Sequence, residues 1–154
     1  MQNTTACIAI ALTVLVFFAA CDKPAPTEES TAGSPDVQTR IEIQSSTPAA
    51  ERLTSFIDAV RTGERATIES LIRDGMAGFL QEIPMDDHVA ELMGYHPGFS
   101  QITFHHLTQN EPHAATGLFH NTQSDRWVEI GVAVEDTPPH RIYQIELQPA
   151  QAPN

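Results

Sequence analysis

The stretch 101-QITFHHLTQNEPHAATGLFHNTQSDRWVEIGVAVEDTPPHRIYQIELQ-148 decides the fold. Within it, residues 101–108, 113–121, 126–135 and 140–148 read as strands. They are rich in β-branched and aromatic residues and are separated by QNEP, TQSD and DTPP, segments of turn-forming residues. Short loops between successive strands imply an antiparallel meander. Symmetric loops predict a register that puts Ile102, Phe104 and His106 on one face with Ala115, Gly117 and Phe119. Val128, Ile130, Val132 and Val134 continue that face, as do Tyr143, Ile145 and Leu147. The other face then carries Thr103, His105, Thr116, His120, Trp127, Glu129, Gln144 and Glu146, the half-exposed pattern of an antiparallel sheet.

Upstream of the meander the period of the apolar residues changes from 2 to 3.6. Thr47 is a natural N-cap, with Pro48 at the first helical position and Glu51 in the first turn. Leu53, Phe56, Ile57 and Val60 recur at i, i+3, i+4 and i+7, and Gly63 ends the pattern, so a helix of about fourteen residues is expected. Ile68, Leu71 and Ile72 predict a second helix ended at Gly75. Val89, Leu92 and Met93 predict a third, starting near Pro84 and closed by His96-Pro97-Gly98. The fold class is therefore α+β, with N-terminal helices packed on a curved antiparallel sheet whose one apolar face they cover.

The first third of the chain has a different composition. Residues 1–21 read MQNTTACIAIALTVLVFFAAC and carry no charged side chain. The apolar run from Ala6 to Ala20 is short for a membrane span and suited to a signal-peptide core. Its end, Phe18-Ala19-Ala20-Cys21, resembles the lipobox of bacterial lipoprotein precursors, although Phe18 stands where leucine is usual and no Lys or Arg precedes the run. The resemblance implies cleavage before Cys21 and a lipid on its thiol. Residues 1–20 are then a lipoprotein signal peptide, 21–47 the lipidated cysteine and a disordered tether, and 48–150 the folded domain. The tether, DKPAPTEESTAGSPDVQTRIEIQSST after the cysteine, has too few large apolar residues to offset its ordering entropy. Arg40-Ile41-Glu42-Ile43 is assigned to it, with an added edge strand as the alternative. The sequence leaves inner and outer membrane open.

The formal net charge is −12, and no run of Lys or Arg could follow a phosphate backbone, so nucleic acid is not an expected partner. Cys7 and Cys21 both precede the domain, which leaves it neither a disulfide framework nor a thiolate metal site.

Helices followed by a meander ending in VEDTPPHRIYQIEL resemble the nuclear-transport-factor-2-like (SnoaL-like) cone fold. FIDAVRTGERATIESLI, RWVEIGVAVEDTPPHRI and the final IEL are similar to the small domain attached to some beta-lactamase-like serine hydrolases and tail-specific peptidases. The resemblance covers about Ala49 to Pro149. It does not bring hydrolase chemistry with it: Lys23 is the sole lysine, so no Ser-x-x-Lys exists, and no Gly-x-Ser-x-Gly occurs. Cone-fold relatives that are enzymes place a carboxylate or a His with a Tyr in the pocket between helices and sheet.

The corresponding polar groups on the predicted apolar face are His106 and Tyr143, with Ala115 and Gly117 leaving room beside them. The candidate pocket is Phe56, Phe104, His106, Gly117 and Tyr143. His106 would act as general base and Tyr143 as oxyanion donor, but no carboxylate shares their face to orient the imidazole. The histidines predict no metal site. On regular strands His105 and His106 point to opposite faces, and His120 lies across from Gln101.

No cofactor is expected. Two function classes follow: a lipid-anchored, non-enzymatic binding or accessory domain, and a small isomerase, cyclase or dehydratase using His106 and Tyr143. The expected partners are the membrane, through the N-terminal lipid, and an envelope protein or small apolar ligand. A homodimer through the outer sheet face, over Trp127, Glu129 and His105, is a further expectation.

Overall fold

A computed structural model describes residues 41–153. The signal peptide, Cys21 and the tether as far as residue 40 lie outside the described residues.

The first helix, α1, spans Pro48–Thr62, and its ends follow from local chemistry. Thr47 accepts a hydrogen bond on its side chain from the Ala50 N–H at 3.3 Å, and Gly63 adopts φ 62°, the left-handed conformation that closes a helix without a Cβ penalty. Its buried stripe includes Leu53, Phe56, Ile57 and Val60. A second helix, α2, runs over Arg65–Ser70 and widens into a π-type turn at Leu71–Gly75, with Ile68, Leu71 and Ile72 buried. A 3₁₀ turn at Gly78–Glu82 leads to α3, Met85–Phe99.

α3 departs from expectation at two places. It runs through Pro97 to Phe99, because a proline in the last turn forfeits a single helical hydrogen bond while Phe99 is buried edge-on against Phe56, with ring centroids 5.9 Å apart. Its buried stripe is His88, Val89, Leu92 and Phe99, whereas Met93 is exposed.

The strands are β1 (Ile102–Asn110), β2 (Ala114–Asn121), β3 (Arg126–Val134) and β4 (Ile142–Ala150), paired antiparallel in the order β1-β2-β3-β4. β2 and β3 keep an unbroken register in which Gly117 faces Ile130 and Phe119 faces Val128, as the symmetric TQSD turn predicts. The two edge strands do not. β1 is bulged between Phe104 and His106, and again between Leu107 and Gln109; β4 is irregular opposite Ala133 and Val134. Each bulge flips the alternation of the residues beyond it. Ile142, expected outside the apolar set, is fully buried.

Among the described residues the result is three α-helices laid on one face of a curved four-stranded antiparallel sheet, an α+β fold in a cone-like arrangement. The segment that precedes Thr47 belongs to it as well. Ile41 is 7% exposed within the core, and Ile43 packs against that core. Asn110 Oδ1 accepts hydrogen bonds from the Ser45 and Thr47 hydroxyls, both at 2.9 Å, which ties this segment to the end of β1. The Ile41–Ile43 patch assigned above to the tether therefore joins the domain, because burying two isoleucines offsets the ordering of a few residues.

Candidate functional site

The structure disperses the pocket expected from regular strands. His106 faces Leu118 in register and is exposed, since the bulge at His105 turns it to the outer side of the sheet and turns Leu107 inward in its place. Tyr143 sits on β4, the opposite edge; three strand spacings put the two roughly 14 Å apart or more. They cannot act on one small substrate. The room expected beside Gly117 is filled: a Cβ built there would lie 2.7 Å from Phe119 Cε2 and 3.3 Å from Phe104 Cε2. Phe56 is wholly buried in the core with Phe99, and Phe104 packs on Phe119 at 5.5 Å.

The same bulge brings histidines together on the outer face, contrary to the expectation that His105 and His106 diverge. Their Nδ1 atoms are 2.6 Å apart, so one donates and the other accepts. His105 meets Trp127 edge-on at 5.3 Å, and His120, opposite Thr103 rather than Gln101, stacks on Trp127 at 4.7 Å while its Nε2 bonds Asp125 Oδ1 at 2.8 Å. Leu118, flanked by this row of rings, is 5% exposed although it lies on the outer face. Among the described residues no group of three or more His, Cys, Asp or Glu is placed to hold a metal ion.

A different site emerges between α3 and β4. A cavity of about 460 Å³ opens where the C-terminal half of α3 crosses the ends of β3 and β4, with Tyr95, Phe99, Val128, Leu147 and Pro149 among its walls. A second, of about 230 Å³, lies further along the same helix and is walled by Leu80, Ile83, Leu92, Ile145 and the rings of Tyr95 and Tyr143. Tyr95 and Leu147 border both, so the two form one continuous groove. Among the described residues the exposed large apolar side chains are Ile83, Met93, Tyr95, Tyr143 and Leu147, and all but Met93 line this groove. Solvent-exposed apolar surface gathered in a concave seam, rather than scattered singly, is the mark of a binding surface.

Polar groups line both parts of the groove: Asn121, Ser124, Arg126 and Gln148 border the larger cavity, at the end away from His88. The smaller cavity holds Glu91, the Tyr143 phenol and His88. His88 sits one turn into α3, where its backbone N–H bonds the Pro84 carbonyl at 3.0 Å. It is 5% exposed, and its Nδ1 is buried with no hydrogen-bond partner. Tyr143 was legible in the sequence as an inward-facing group; His88 was missed because Asp86 and Asp87 make its surroundings read as a solvated first turn. The available signal was its i, i+4 spacing to Leu92 on the buried stripe.

Compared with protein-family models, with curated proteins and with solved structures, the chain has no match.

Proposed function

We propose that this chain is a bacterial envelope lipoprotein of the nuclear-transport-factor-2-like type. It is anchored through a lipid on Cys21, and its domain binds a small apolar ligand without catalysing a reaction. The lipobox-like Phe18-Ala19-Ala20-Cys21 supports the anchor. The observation that carries the binding role is the gathering of Ile83, Tyr95, Tyr143 and Leu147 in the groove between α3 and β4. Cavities of about 460 and 230 Å³ suit a small molecule better than a folded partner. Non-enzymatic binding is favoured because the expected His106–Tyr143 pair is split across the sheet, and His88, which does share a cavity with Tyr143 and Glu91, has no hydrogen-bond partner on Nδ1 to orient it as a base.

The anchor is tested by growing cells with alkyne-tagged palmitate: label is expected on the wild-type chain and lost in Cys21→Ser. The binding role is tested on the chain from position 21 onward carrying Cys21→Ser, which needs no detergent. Titration with butylbenzene, followed by amide NMR, should shift signals of residues 83–99 and 143–149, and Leu147→Gln should weaken binding several-fold. Absence of binding, or shifts centred on His105, His106 and His120 of the outer face, overturns the groove reading.

A further inference from the structure

The groove has one polar feature that its apolar lining does not account for. His88 is nine-tenths buried, lines the smaller cavity, and has a sealed Nδ1 with no partner. A neutral imidazole has one N–H and one bare nitrogen. A proton on Nδ1 would be a buried donor without an acceptor, the rarest kind of unpaired group in a folded protein. The arrangement with least uncompensated polarity places the proton on Nε2, on the edge of the ring that remains accessible. The cavity then presents an N–H donor from His88 among Leu80, Ile83, Leu92, Ile145 and Leu147, with Glu91 and the Tyr143 phenol as its other polar groups.

We infer that the ligand of this groove is a neutral apolar molecule carrying a carbonyl or comparable oxygen acceptor, which receives a hydrogen bond from His88 Nε2. This deepens the binding reading above and rests on it. At His88 an anionic acceptor is disfavoured by Glu91 in the same cavity and by the net charge of −12, the groove's cation, Arg126, lining the other cavity. A ligand donor would find no bare nitrogen on His88, because Nδ1 is buried; it would have to turn to Glu91 or Tyr143 instead. Mostly apolar walls with a few placed polar groups are how small-molecule sites combine affinity with orientation, and His88 is the one of the three here that is buried.

The test compares 4-phenylbutan-2-one with butylbenzene, which match in shape and differ in the carbonyl. Water solvates the ketone better, so raw affinities mislead; the ratio of the two dissociation constants, in wild type and in His88→Phe, cancels that difference. One lost hydrogen bond should move the ratio against the ketone by about three- to tenfold in the variant. If both probes bind and the ratio does not move, the role of His88 is refuted while the groove stands. If neither probe binds, the groove reading falls and this inference with it. A measurement that needs no variant keeps the question open to refutation should His88→Phe fail to fold. Long-range ¹H–¹⁵N spectra of the wild-type chain report which ring nitrogen of His88 carries the proton. It is expected on Nε2, with its signal moved by the ketone and not by butylbenzene; a proton on Nδ1 overturns the inference.

Discussion

Replacing Gly117 with alanine separates a sheet face that has room for a ligand from one that is already full. In regular alternation Gly117 lies on the apolar face beside open space, and an added methyl group would be harmless to stability. In the structure that methyl would sit 2.7 Å from Phe119 Cε2 and 3.0 Å from Phe119 Cζ, closer than carbon atoms approach. The ring has little freedom to yield, since Phe119 is fully buried and tilted against Phe104 at 5.5 Å. Overpacking of this kind costs about 1–3 kcal/mol. Removing a glycine's freedom from the unfolded chain offsets about 0.4–1 kcal/mol of it. The net expectation is a loss of about 1–2 kcal/mol, or a Tm lower by roughly 4–8 °C for a domain of this size. Urea denaturation followed by far-ultraviolet circular dichroism measures it directly. The cause is checked with Phe119→Leu: in that background Gly117→Ala should cost less, with a coupling of about 1 kcal/mol. A Gly117→Ala protein as stable as wild type would refute the packing described here.

The remaining predictions concern the parts that hold the groove in place. Leu53→Ala, at a wholly buried position of α1, should lower stability by about 3–4 kcal/mol in the same denaturation assay. Thr47→Ala removes both the helix cap and the bond to Asn110 Oδ1 and should cost about 1–2 kcal/mol. A chain begun at Pro48 instead of residue 38 loses the burial of Ile41 and that same cap. Its loss should be at least about 2 kcal/mol, whereas equal stability would return Ile41 to the tether. Arg52→Met deletes the guanidinium bonds to the carbonyls of His140 and Pro139, at 3.1 and 2.6 Å. Hydrogen exchange should then quicken in residues 135–142, while the outer-face signal of Trp127 stays unchanged.

Legibility in the sequence followed how local the deciding physics is. α1 could be read nearly to its ends, because Thr47, Pro48 and Gly63 act within one turn of where they stand. The β2–β3 register was equally plain, since the TQSD turn and two alternating strands agree on it. α3 was read too short. Its last turn is held by tertiary burial of Phe99, which outweighs the propensity of Pro97, and Met93 was misplaced because periodicity alone does not say which edge of a stripe meets the sheet. The buried end of the N-terminal segment was missed for a similar reason: Ile41 and Ile43 find partners only in distant strands and helices.

The site was misread at the bulges, and there the chain carried a signal of its own. Phe104 and Leu107 are three residues apart, as are Ile142 and Ile145. On a flat strand such a pair faces opposite ways, so one member would be left in water. An extra residue between them brings both to the core, and both edge strands take that solution. On β1 the extra residue is His105, and the price of burying Leu107 is that His106 turns outward, which dissolves the expected His106–Tyr143 pair. On β4 it is Tyr143, which is left 41% exposed at the rim of the groove, facing the α3 side where His88 lies. The two bulges thus have one cause and opposite consequences for function: β1 loses a polar group from the helix side, and β4 keeps one there. Odd spacing of large apolar residues on an edge strand is therefore where a regular register should first be doubted, because bringing one more side chain onto the core, even partly buried as Leu107 and Ile145 are, outweighs the ladder contacts that a bulge disturbs.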